Sequence, residues 1–191
     1  MVRTSRWAHL ALGLAAAAVL AAPAHATTLV RMGLEDLTAT NEMVVVGRVV
    51  DVHSHWNGDG TFILTDVRIA VDDVLKGRRP SSDVTFTVMG GTVGDKTVMI
   101  VGGAELEWGA SYALFLSRSD LPGARGVLTV RDHSQGAFDV IDTQMGLRVR
   151  SQAVGHPLLP DWRGESEAPG GASGFELNDF IGRVRGLAPA R

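Results

Sequence analysis

A chain of 191 residues with 18 Lys+Arg, 21 Asp+Glu and no cysteine is long enough to bury one good core, so one domain is the default. Its net charge of −3 supplies none of the basic field that nucleic acid or an anionic membrane surface requires. The lack of thiols rules out disulfides, thiolate zinc and cysteine catalysis.

Arg3 and Arg6 precede an unbroken apolar run from Leu10 to Ala22, and Pro23-Ala24-His25-Ala26 closes it in an Ala-x-Ala pattern. This is the layout of a secretory signal peptide over residues 1–26, with cleavage expected after Ala26. The run is too short for a retained bilayer anchor. Cleavage leaves 165 residues with 16 Lys+Arg against 21 Asp+Glu, a net charge of −5, and histidines at 53, 55, 133 and 156 only. An exported chain, periplasmic or secreted and with no membrane attachment after cleavage, is therefore expected.

Leu34-Glu35-Asp36-Leu37 opens a short helix, with acids in its first turn as the helix dipole favours. From Met43 to Trp56 the even positions Val44, Val46, Val50, Val52 and Trp56 form an apolar stripe of period two, and Gly47 marks a bulge or bend. Thr61 to Leu75 answers with Ile63, Val67, Ile69, Val71 and Leu75 at odd positions. A turn at Asn57-Gly58-Asp59-Gly60 pairs Trp56 with Thr61, Val52 with Thr65 and Val50 with Val67, so both stripes share one buried face. Further strands are expected at Val84–Met89, Thr97–Val101, Tyr112–Ser117, Val127–Arg131, Ala137–Val140 and Leu147–Arg150, separated by glycine turns. Short, evenly spaced strands of this kind build an antiparallel barrel or a β-sandwich over residues 27–150. Residues 151–172 read as a Pro/Gly-rich linker, and 173–191 as an amphipathic helix with Ser173 and Glu176 as its capping box.

In that hairpin register Asp51, His53 and His55 share the outer face, with Asp66 directly opposite Asp51. Two imidazoles and two carboxylates are donor types for zinc or another divalent ion, which would be the chain's one cofactor. The same residues equally suit the solvated face of a strand, and the glutamate of a zinc-protease motif is missing. Asp132, His133 and Ser134 are chain neighbours and cannot converge as a triad, and no G-x-S-x-G elbow occurs. The loop Gly90-Gly91-Thr92-Val93-Gly94-Asp95 lacks the G-K-[ST] ending of a phosphate loop. Arg78 and Arg79 form a local basic spot after the hairpin, and Trp162 is an aromatic in the linker. These three are the candidate partner-binding residues. No catalytic constellation emerges, and a non-enzymatic chain is expected.

The short leading helix, the Gly47 strand, Ser54-His55-Trp56, Thr65 and Val74-Leu75-Lys76-Gly77 together form a recognisable pattern. It continues through Gly90-Gly91, Gly94, Trp108-Gly109, Leu114-Phe115-Leu116 and Gln135-Gly136-Ala137-Phe138. Over residues 27–140 the chain resembles a group of uncharacterised exported bacterial proteins with an OB-like β-barrel. It is also similar to the start of netrin-like and metalloproteinase-inhibitor domains. The resemblance implies a mainly β fold: a small antiparallel OB-like barrel with a short N-terminal and a C-terminal helix. The inhibitors present an N-terminal cysteine to the protease zinc, and the residue after Ala26 is Thr27, so that mechanism does not carry over. The resulting expectation is an exported binding or accessory module with a protein or peptide partner and no nucleic acid. An inhibitor or escort of an exported protease, and a metal protein using Asp51, His53, His55 and Asp66, are the alternatives.

Overall fold

The computed structural model describes residues 29–78, 82–156, 158–161, 163–165 and 167–188. The proposed signal peptide, Arg79 and Trp162 lie outside these residues. Helix α1 (Leu34–Thr40) leads into strands β1 (Met43–Trp56), β2 (Ile63–Lys76), β3 (Asp83–Met89), β4 (Gly91–Val93) and β5 (Lys96–Val98). After a loop come β6 (Ser111–Leu121), β7 (Ala124–Thr129), a 3₁₀ turn at His133–Gly136, β8 (Ala137–Thr143) and β9 (Gly146–Ser151). A two-residue strand β10 (Phe175–Glu176) runs straight into helix α2 (Leu177–Leu187).

All strand pairs are antiparallel, as the short strands and glycine turns implied. The main sheet runs β10-β9-β8-β6-β1-β2-β3, with β7 paired to the far half of β6 and β4-β5 forming a separate small hairpin. Curvature brings β3 against β7, yet among the described residues no hydrogen-bonded ladder joins them, so the sheet is not a closed ring.

The β1–β2 hairpin departs from the expected register by two residues. Trp56 lies opposite Ile63, Val52 opposite Val67 and His53 opposite Asp66. The cause is Asn57. Its side-chain Oδ1 accepts from the Thr61 and Phe62 N–H groups (2.9 and 3.1 Å), and its own N–H donates to the Phe62 carbonyl (2.8 Å). The connection is thereby held at six residues, 57–62, instead of four.

A second departure divides the valine stripe. A bulge between Val49 and Asp51 inserts one residue into β1 and exchanges the faces. Before it, Val44 and Val46 point towards the helices, while Val45 and Val49 point into the curve of the sheet. After it, Val52, Ser54 and Trp56 take up the inner face, each opposite an inner residue of β2. Val52 and Trp56 are not buried there, as the uninterrupted stripe implied. They remain 38 % and 41 % exposed because β6 accompanies β1 only as far as Arg48. Gly47 is needed for a different reason: a Cβ there would overlap the Ala70 carbonyl of β2.

Both faces of the first half of β1 are therefore core. The inner cluster gathers Val45, Val49, Ile69, Phe86, Leu114 and Leu116 inside the curved sheet. The outer cluster packs Val44, Val46, Phe115, Phe138 and Val149 beneath Leu37 of α1 and Phe180 and Val184 of α2. Phe180 is the centre of its aromatic group, with ring centroids 5.4 Å from Phe138, 5.9 Å from Phe175 and 6.3 Å from Phe115. The cap of α2 is Glu176, whose carboxylate accepts from the Asp179 N–H at 2.9 Å. Ser173 lies outside the helix, and its carbonyl accepts from Arg148.

Described residues of the Pro/Gly-rich stretch pack against the body at several points. Ala153, Asp161 and Ala168 are buried, and Leu159 makes a parallel bridge with Val30, exchanging backbone hydrogen bonds with Leu29 and Arg31. No helix among the described residues is long and apolar enough to cross a membrane.

Candidate functional site

The bulge and the Asn57 turn bring Asp51, His53, His55 and Asp66 to one outer face, but with different partners from those expected. Asp51 faces Arg68, whose guanidinium lies 3.7 Å from it and 3.0 Å from Asp83. Asp66 faces His53 and accepts from the Thr87 hydroxyl at 2.7 Å. The His53 and His55 rings stack 6.0 Å apart, 18° from parallel. His55 Nε2 approaches Asp66 Oδ2 to 3.2 Å, and its Nδ1 lies 2.9 Å from the Trp56 carbonyl. These carboxylates and imidazoles thus have polar or stacking neighbours on three strands. Among the described residues no three His, Asp or Glu side chains converge as metal ligands.

Asp132, beside His133 and Ser134, accepts from the Asn41 side chain at 2.7 Å, and Ser134 is buried. Arg78 is exposed in the loop after β2. A hollow of about 740 Å³ lies over β6, β8 and β9 and contains Tyr112, Asp139 and Gln152. Several of its polar groups bond one another: Tyr112 Oη accepts from the Glu107 N–H, and Asp139 accepts from Gln152 Nε2. Burial is the main reason the Tyr112 phenol pKa is raised above its ordinary value.

A second cleft, of about 910 Å³, lies elsewhere, between the segment leading into α1, residues 161, 163–165 and 167–171, and the flank of α2. None of the sequence motifs indicated it, because it is assembled from residues more than a hundred positions apart. Its back wall is positioned by Gln135. That buried side chain accepts from the Met32 N–H (2.8 Å) and donates to the Val30 carbonyl (3.1 Å), holding the residues on either side of Arg31. On the other side of the same segment, the Arg31 N–H donates to the Leu159 carbonyl at 2.8 Å.

Arg31 is only 6 % exposed and Asp161 only 7 %, and both line the cleft. Among the described residues the Arg31 guanidinium has one long hydrogen bond, Nη2 to the His156 carbonyl at 3.4 Å, and its Nε and Nη1 are buried without partners. Asp161 uses Oδ1 to accept from the Arg163 and Glu165 N–H groups, both at 2.8 Å, in an Asx-type turn, while Oδ2 is buried with no partner among the described residues. At the rim Arg163 Nη2 donates to Glu35 at 2.7 Å, and that hydrogen bond holds the guanidinium pKa above its usual value. Arg183 lies over the Phe175 ring, 5.4 Å from its centroid, and bonds Asp179 at 2.8 Å.

Two of the motifs behind the family resemblance have structural work. Lys76 of Leu75-Lys76-Gly77 donates to the Asn41 carbonyl at 2.6 Å and to the Thr38 carbonyl, closing the C-terminus of α1. Gln135 of Gln135-Gly136-Ala137-Phe138 anchors the cleft's back wall as described. Comparison of the chain with models of known protein families and with curated proteins gave no match.

Proposed function

We propose that this chain is an exported, non-enzymatic binding or accessory module, and that the Arg31–Asp161 cleft is its ligand site. The observation that carries this is the pair of buried, oppositely charged side chains with unused hydrogen-bonding atoms at one cleft. Leaving a buried hydrogen-bonding atom unsatisfied costs about 1–3 kcal/mol, and more on a charged group, a cost that folds retain where the groups have work to do. The cleft volume is also within the usual range for ligand sites, about 300–1,000 Å³. A protein or peptide partner suits the mixed charges of the rim better than nucleic acid does. The approach of β3 to β7 supports reading the curved sheet as an OB-like barrel left unzipped along one seam.

The test is photocrosslinking from the cleft rim, with the crosslinker at position 165, in the native envelope and culture fluid. A reproducible protein adduct that is lost when the crosslinker is moved to position 145, in the exposed β8–β9 turn, is the expected result. The absence of any protein adduct in either fraction overturns the reading.

A further inference from the structure

We propose that the cleft receives a short extended stretch of polypeptide, with a main-chain carbonyl or terminal carboxylate against Arg31 and a main-chain N–H against Asp161. The inference rests on the binding-module reading and adds the chemistry of the ligand. The first support is the sign of the two groups that have unsatisfied atoms. Arg31 has N–H donors to spare and Asp161 has an acceptor to spare, and no ion pair joins the two. A simple anion would satisfy Arg31 and leave Asp161 repelled; a simple cation would do the reverse. A peptide main chain offers an acceptor and a donor in close succession. Access requires Arg31 to turn from the His156 carbonyl, a contact of only 3.4 Å.

The second support lies in α2. Gly182 and Gly186 stand one turn apart on the flank that lines the cleft, and a Cβ at either would meet no atom within 4 Å. Packing does not demand glycine at either position, and Gly182, in the helix interior, costs about 1 kcal/mol relative to alanine. Their effect is a bare strip of helix against which another backbone can lie. Met32, Leu34 and Phe175 supply apolar wall beside it for the guest's side chains. The glycine strip alone says little; two nine-tenths-buried charges with free valences at the same cleft give it a partner chemistry.

The experiment is an NMR titration of the ¹⁵N-labelled chain with two degenerate tripeptide pools, both N-acetylated, one with free carboxyl ends and one amidated. Saturable shifts at Met32, Gly164, Gly182 and Gly186 are expected. A tenfold preference for the free-carboxyl pool identifies chain-end recognition; equal affinity identifies an internal segment. Gly182→Leu combined with Gly186→Leu should weaken binding at least tenfold without lowering Tm, since leucine is the better helix former and the space is open. Asp161→Asn keeps the turn-forming oxygen, and should weaken binding while leaving Tm unchanged or raised. Neither pool shifting the cleft resonances at millimolar concentration overturns the proposal, as does binding undiminished in the double leucine variant. Shifts confined to another surface remove the peptide cleft and leave the binding-module reading standing. Failure of both the peptides and the crosslinking removes both.

Discussion

Phe180→Ala tests whether the C-terminal helix is an integral layer of the fold. Helix α2 has only eleven residues, too few to hold itself together in water, so its order depends on what it buries. Phe180 is fully buried and meets three other phenylalanine rings; Val184, one turn on, completes the contact. Truncation removes the ring's transfer free energy and leaves a cavity between Phe115 and Phe138, a cost of about 3–5 kcal/mol. Set against a typical domain stability of about 5–15 kcal/mol, that is a large fraction of the total. For a domain of this size Tm should fall by roughly 6–20 °C, at about 2–4 °C per kcal/mol. Urea unfolding followed by tryptophan fluorescence measures the change, with Leu187→Ala as control because Leu187 is 38 % exposed. The control should lose no more than about 1 kcal/mol. A loss below about 1 kcal/mol for Phe180→Ala, equal to the control, would show that α2 does not cover the outer cluster.

Gly47→Ala should destabilise by about 2 kcal/mol or more in the same assay, because the new methyl overlaps the Ala70 carbonyl and the backbones must part; an unchanged urea midpoint would remove the close approach of β1 and β2. Gln135→Ala should cost about 1–3 kcal/mol by leaving the Met32 N–H and Val30 carbonyl without their buried partner, and hydrogen exchange should quicken at Met32. Unaltered exchange there would contradict Gln135 as the anchor of the cleft. Tyr112 is the chain's single tyrosine, so absorbance at 295 nm reports its ionisation alone. With the folded pKa raised above the ordinary tyrosine value of 10.0, mainly by burial, its contribution to stability is fully present below pH 10 and is lost as pH rises through the folded value. A native-state midpoint at or below 10.0 would refute this.

Alternation separated the two faces of the distal hairpin, although it wrongly implied that the face of Val52 and Trp56 is buried. His53 and His55 against Val52 and Trp56 revealed which side of the distal hairpin faces out, and that assignment survived a two-residue register shift because even shifts preserve faces. Alternation failed where β1 is buried on both sides. Val44, Val45 and Val46 all read as apolar, so nothing local signals that two of them face helices and one faces the inner cluster. The Asn57 loop was legible as a turn, but its length depends on whether one amide side chain takes the Thr61 and Phe62 N–H groups. The capping box at Ser173 was legible as a motif; the chain instead stays in β10 until Glu176, held by pairing with β9.

The candidate site was the least legible part. Arg31 reads as an ordinary charge beside a helix start, and Asp161 as one acid in a polar loop. Their burial arises only when Gln135 clasps the N-terminal segment from one side and Leu159 from the other. What the sequence determined by itself is the antiparallel, mainly β character, the absence of thiol chemistry and the outer face of the distal hairpin. These follow from composition and from periodicities that act over a few residues. Tertiary structure alone decided which faces became core, where β1 bulges, and that two opposite charges 130 positions apart share a cleft. Desolvation is a property of everything packed around a side chain, and no local pattern encodes it.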